Sequence, residues 1–342
     1  MIKKILIILF MLSALIASGV YWYCQSLLSQ RLSNDEAISW EVKSGQGLIQ
    51  TLNELEKQNL IINSRHLSVL LRFTQAPNIK QGEYQIAANM GVMDVLALFE
   101  AGQSVQYSLT FVEGKTVKEF LVMLAQNDQL KHELTLMSEA EILKAMNSAY
   151  LSLEGLIFPD TYFYQKGDSD LDLLKRAYAK LESVLETQWA NRAKDLPYKN
   201  AYEALIMASI VEKETGAAFE RPEIAGVFIR RMQMNMRLQT DPTVIYGLGD
   251  MYDGNLTRAH LRADTRYNTY TNKGLPPTPI AASGEEAIFA ALNPNDAKAL
   301  YFVAKGDGTH YFSETLKEHN NAVNEYQRFK RNRKNYQSAP TQ

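Results

Sequence analysis

The run from Ile5 to Cys24, ILIILFMLSALIASGVYWYC, contains no charged residue. At about 1.5 Å of rise per residue, a helix of this length crosses the ~30 Å hydrocarbon core of a bilayer, and the rest of the chain is then held on one side of a membrane. Lys3 and Lys4 precede the run, while the first charges after it are Arg31, Asp35, Glu36 and Glu41. Residues 1–4 therefore read as a cytoplasmic tip, 5–24 as a single-pass transmembrane anchor and everything beyond as exported. Tyr21, Trp22 and Tyr23 fall where an aromatic belt meets the far interface. That placement favours a retained anchor over the rival reading, a signal peptide cleaved near Ala17 to Gly19. Cys24 is the sole cysteine, which excludes an intrachain disulfide and a multi-cysteine zinc site. It reads as an interfacial thiol without a role.

The 342 residues carry 36 Lys+Arg against 38 Asp+Glu, a net charge of −2 that excludes a nucleic-acid binder driven by bulk charge. With 46% hydrophobic and 22% charged residues, the composition is that of a globular chain long enough for two domains. Residues 25–37 read as a polar linker. Ile38–Val42 alternates as a strand, and Ser44-Gly45-Gln46-Gly47 turns into a helix carrying Leu48, Leu52 and Leu55. A second helix follows Ser64, Gly82–Ile86 reads as a strand, and a helix with Val92, Val95, Leu96 and Phe99 ends at Gly102. This β-α-α-β order and its Val42-Lys43-Ser44-Gly45 turn resemble a LysM module, whose family binds the N-acetylglucosamine-containing glycan of peptidoglycan. The resemblance assigns 38–104 to a LysM-like peptidoglycan-binding subdomain; a plain small α+β domain is the other reading.

Beyond it, Val105–Phe111 alternates as a strand with one buried face, and Glu113-Gly114-Lys115-Thr116 opens a helix with Val117, Phe120, Leu121 and Leu124. Helices are expected around Ala140–Met146 and over Asp170–Arg192, with Phe158–Tyr162 between them as a packed turn. The basic run Arg328–Lys334 reads as a solvated helix end. No His-Glu-x-x-His pair, Gly-x-x-x-x-Gly-Lys loop, Gly-x-Ser-x-Gly elbow or Ser-x-x-Lys pair occurs, and the five histidines are scattered. Carboxylates remain as candidates, with no metal or cofactor implied.

Tyr202–Gly216 reads YEALIMASIVEKETG. Ala204–Val211 is almost wholly apolar and predicts a helix buried on nearly all sides that Gly216 ends. Two positions apart on a helix is ~200° of rotation, so Glu212 and Glu214 face opposite ways and cannot flank one glycosidic bond as a pair. A lone glutamate at the tip of an apolar helix is desolvated and holds its proton near neutrality, as a general acid must. The alternative is a helix-end salt bridge with Lys213 or Arg221. After a helix over Glu220–Met234, the span from Arg237 to Ile280 is rich in Tyr, Asn, Thr, Gln and Pro. Aromatic faces with amide and hydroxyl partners suit neutral sugars; a long irregular connection over the core is the other reading.

Ala208–Thr215, Gln239-Thr240-Asp241-Pro242-Thr243-Val244, Tyr267-Asn268-Thr269-Tyr270 and Gly274-Leu275-Pro276-Pro277 resemble the YceG family of membrane-anchored endolytic murein transglycosylases. The likeness runs from the anchor to the Glu318-His319-Asn320 helix. It implies a catalytic domain over 105–335 followed by a tail, 336–342. The expected fold class is α+β: one N-terminal transmembrane helix, the LysM-like subdomain, then a mixed α/β catalytic domain with a glutamate-bearing helix. The resemblance also implies a bacterial inner membrane location with a periplasmic catalytic part. The implied reaction cleaves the β-1,4 bond between N-acetylmuramic acid and N-acetylglucosamine in nascent glycan strands, leaving 1,6-anhydro ends and ending strand elongation. Glu214 is the implied catalytic residue, with Thr215 after it, and penicillin-binding synthases are implied partners. Gln239, Asp241, Tyr246, Tyr267, Asn268 and Tyr270 are the candidate substrate contacts by side-chain type. A hydrolytic muramidase using Asp241 to activate water, or a non-catalytic peptidoglycan-binding scaffold, are the competing functions.

Overall fold

The computed structural model describes residues 2–74 and 76–329. Helix α1 spans Ile2–Leu28, and its apolar window is 0% buried, as expected of a helix able to cross a membrane. The side chains of the basic run Arg328–Lys334, and the tail 336–342, lie outside the described residues. Among the described residues the architecture is α+β with three separate two-stranded sheets, and the chain divides into two compact units.

The first unit follows α1 with β1 (Ile38–Val42), α2 (Leu48–Lys57), α3 (Ser64–Phe73), β2 (Gly82–Ile86) and α4 (Val92–Ala101). β1 and β2 are antiparallel, with Trp40 opposite Tyr84 and Ile38 opposite Ile86. Period-2 alternation drives Trp40, Val42, Tyr84 and Ile86 into one core with Leu52 and Leu55 of α2, Leu67 and Leu71 of α3, and Val95, Leu96 and Phe99 of α4. Gly102, at φ 70°, caps α4 as expected. The stretch read as a polar linker, 25–37, is instead built into this core. Leu27 and Leu32 are buried, and the Asn34 side-chain amide donates to the carbonyls of Glu36 and Ala87 at 2.8 and 3.1 Å. The polar composition hid two leucines that meet the core only once the chain has folded.

The division between units falls within β3 (Gln106–Thr110) and β4 (Thr161–Gln165), which pair with each other. The packed turn expected over Phe158–Tyr162 thus yields to a strand after Asp160: Tyr162 and Tyr164 are buried while Thr161 and Phe163 are exposed. The second unit contains α5 (Val117–Ala125), α6 (Glu139–Ala145), α7 (Asp170–Ala190), α8 (Ala201–Glu214), α9 (Arg221–Gln233), α10 (Asp241–Leu248), α11 (Arg258–Arg262), α12 (Glu285–Leu292), the antiparallel pair β5 (Tyr301–Ala304) and β6 (His310–Ser313), and α13 (Leu316–Val323). Helix α8 is the centre of this unit. All of Ala204–Val211 is buried, and α7, α9, α10 and α12 pack around it.

Candidate active site

Helix α8 starts at Asn200, whose side chain accepts from the Glu203 amide at 3.0 Å. It stops at Glu214 and not through Gly216. Thr215 is extended, at φ −146° and ψ 136°. Its buried hydroxyl accepts from the Ala217 amide at 3.0 Å, and this turn ends the helix without a left-handed glycine. Glu214 is left half-buried on the wall of a cavity of about 1150 Å³. Glu212 borders the same cavity, so the spacing separates the partners of the two glutamates and not their access to it. Arg221 donates to Glu212 at 3.1 Å and the Gly284 amide does so at 3.0 Å. Lys213 Nζ donates to the Gly114 carbonyl at 3.0 Å. Neither cation pairs with Glu214, whose carboxylate accepts from the Thr240 hydroxyl.

Thr240 is held by a small hydroxyl cluster. Its amide donates to Thr269 Oγ1 at 3.1 Å, and the Thr243 hydroxyl lies 2.9 Å from that same oxygen and donates to the Thr240 carbonyl at 2.9 Å. Gln239, at φ 55°, turns the chain into α10, and its amide donates to the Thr269 carbonyl at 3.2 Å. Asp241 follows, with the Tyr270 hydroxyl donating to it at 2.6 Å. The sequence-distant motifs Gln239–Val244 and Tyr267–Tyr270 thus meet over the tip of α8.

Gln239, Asp241, Tyr246 and Tyr270 all line the cavity with Glu214. Tyr267 and Asn268 do not. The Tyr267 hydroxyl is spent on Thr278 at 2.9 Å while its ring takes the edge of Tyr246. Asn268 is fully buried: its amide group donates to the carbonyls of His260, Leu261 and Ala263, and its oxygen accepts from the Tyr270 amide. It organises the loop that aims Tyr270, with no atom turned to the cavity. Asn268→Ala would strand these buried carbonyls, and a loss of about 2 kcal/mol of stability is expected in urea unfolding. The Gly274–Pro277 motif lines a separate cavity of about 440 Å³ with Tyr202 and Asn200.

Burial pushes the Glu214 carboxyl up to about 7, the negative charge of Asp241 adding to it and the Thr240 hydrogen bond and Arg231 cation opposing it. The sequence does not single out Arg231, near the end of α9. It is buried, donating to the carbonyls of Leu238 and Leu300 at 2.6 and 2.7 Å, with its guanidinium over the Tyr301 ring. Two of these partners lie about 70 residues along the chain, and nothing local in a helix that also carries Arg221, Glu223 and Arg230 marks Arg231 for them. Glu154 was missed as well. It is buried outside the cavity lining and accepts from the Tyr246 hydroxyl and the Val117 amide, each at 3.1 Å. Among the described residues, no group of three or more His, Cys, Asp or Glu is placed to hold a metal ion.

The model of the YceG-like family matches residues 40–325. The chain belongs to the YceG-like family. A Bacillus subtilis (strain 168) relative named endolytic murein transglycosylase is 28% identical over 331 residues, covering 91% of each chain. A Streptococcus pneumoniae (serotype 2, strain D39) protein of the same name is 25% identical over 365 residues, covering 95% of this chain and 65% of its own length. A crystal structure of a yceG-like protein from Listeria monocytogenes superposes with a TM-score of 0.50 at 29% identity, covering 84% of this chain and 99% of that one. The family match takes in α8, the Thr240 cluster and the Tyr270 loop, which surround Glu214.

Proposed function

We propose that this YceG-like chain is an endolytic murein transglycosylase, held to the bacterial inner membrane by α1 with its N-terminus cytoplasmic. Its glycan-cutting unit is then periplasmic, and the LysM-like first unit binds the same polymer. The observation that carries the reading is the Glu214 carboxyl, held up at about 7 by burial on a cavity wall with one hydroxyl to orient it. Glu212 is tied to Arg221 and Gly284, which leaves Asp241, held by the Tyr270 hydroxyl, as the second carboxyl a hydrolase would need beside Glu214. One group suffices for the non-hydrolytic route. Protonated Glu214 gives its proton to the glycosidic oxygen, the bond to C1 of the muramic sugar breaks, and Glu214 as carboxylate removes the proton from the C6 hydroxyl. That oxygen closes on C1 as the 1,6-anhydro ring, and Glu214 ends protonated as it began. The Arg231 cation favours the carboxylate form midway, and Thr240 keeps the reacting oxygen aimed. Tethering favours nascent strands near the membrane, where penicillin-binding synthases are the partners proposed.

Digesting purified sacculi with the detergent-solubilised full chain and weighing the fragments tests the reaction. Anhydro ends are expected; fragments heavier by one water would make the protein a muramidase, and none at all a scaffold. The acid form of Glu214 prevails below a pH of about 7 and is lost above it. kcat/KM should therefore fall about tenfold per pH unit on the alkaline side. A flat profile to pH 9 would remove Glu214 as proton donor.

A further inference from the structure

The first unit has a surface that neither glycan cleavage nor core packing uses. Phe73 is 86% exposed, Ile62 68% and Val69 47%. On α3, Arg65, Val69, Arg72 and Phe73 fall within about 100° of arc at helical spacing, a face that mixes two cations with two apolar side chains. Among the described residues neither arginine has an ion pair. Leu67 and Leu71 hold the opposite face in the core.

Contacts with α1 fix which way this face points. The Ile62 amide donates to Gln30 Oε1 at 3.1 Å, just past the end of α1. One turn on, the Tyr23 hydroxyl lies 2.7 Å from His66 Nδ1. From Ile62 to His66 the chain thus climbs back along α1, from residue 30 to residue 23. Continued at about 1.5 Å per residue, α3 carries Phe73 roughly 10 Å further toward the apolar run of α1. Tyr23, which closes the aromatic belt of that run, is level with His66, two turns before Phe73.

We infer that the C-terminal end of α3 docks on the outer face of the bilayer, Phe73 and Val69 entering the headgroup and acyl boundary and Arg65 and Arg72 meeting anionic phosphates. The partner is the lipid surface itself, argued from continuity with α1 and from the pairing of basic and apolar groups on one face. The unit is then fixed against the membrane by two elements and does not swing from one. This rests on reading α1 as a membrane span.

The test uses the full chain with Cys24→Ser, reconstituted in vesicles of phosphatidylglycerol and phosphatidylcholine. Nitroxide labels are placed singly through Leu12→Cys and Phe73→Cys, and immersion is read from oxygen accessibility. Both labels are expected below the headgroups, with the label at 73 becoming shallower in phosphatidylcholine alone. A buried label at 12 with an aqueous label at 73 would overturn the docking while leaving the anchor intact. An aqueous label at 12 would sink anchor and docking together. No response of position 73 to lipid charge would overturn the role given to Arg65 and Arg72.

Discussion

Glu214→Gln is expected to yield a folded protein whose glycan cleavage is at least 10³-fold slower, since one side chain serves as both acid and base and each role is worth about 10²–10⁴ in rate. Glutamine keeps the volume and an oxygen that still accepts from Thr240, but it has no proton to give the glycosidic oxygen. Stability separates this loss from misfolding. Burial pushes the Glu214 carboxyl up to about 7 in the folded chain, from an ordinary value of 4.5. The folded state therefore binds the proton more tightly than the unfolded one, and stability declines as pH rises through that window. Removing the carboxyl removes the penalty, so the variant should melt at a higher temperature than the parent at pH 8 and near the same temperature at pH 4. An inactive variant that melts lower at pH 8 would point to structural damage, and an active one would end the assignment.

How far such a site can be read beforehand depends on the range of the interactions that build it. The strands and helices of the first unit were legible because each has a clean period: Trp40 and Val42 alternate, and Leu52 with Leu55 or Leu67 with Leu71 repeat at helical spacing. Helix α8 was legible from an apolar run that only Ser209 interrupts. Helix α10 was not, since only Thr243 and Val244 of its eight residues are buried, and its start depends on Pro242 and on a Thr240 held by Thr269. The β5–β6 pair, four residues to a strand, carries too short a pattern to announce itself. Tyr267-Asn268-Thr269-Tyr270 shows the limit most sharply. All four are residue types suited to sugar, yet Tyr270 alone of them borders the cavity, while Asn268 spends its amide inside the loop and Thr269 its hydroxyl on the start of α10. Type and spacing do not say which side of a loop faces the ligand.

Arg221→Met should produce the largest loss of stability. Arg221 opens α9, where the positive end of the helix dipole disfavours a cation, and it is held there by carboxylates. It meets Glu212 of α8 at 3.1 Å, Glu113 before α5 at 3.7 Å, and Glu286 of α12. Glu113 and Glu286 are solvated and contribute little, whereas the Arg221 and Glu212 side chains are only 9% and 6% exposed. Methionine would fill most of the volume and leave Glu212 buried with the Gly284 amide, a situation that typically costs about 3 kcal/mol. Burial already raises the carboxyl of Glu212, and Arg221 is the main influence holding it down. Without the arginine it rises further, so the variant takes up a proton on folding and loses stability as pH increases. Urea unfolding should therefore find the deficit clearly larger at pH 8 than at pH 5; an equal deficit at both would mean that packing and not charge is responsible. Since Glu212 sits two residues from the end of α8, its release also frees the helix tip, and cleavage should fall in the variant even at temperatures where it remains folded.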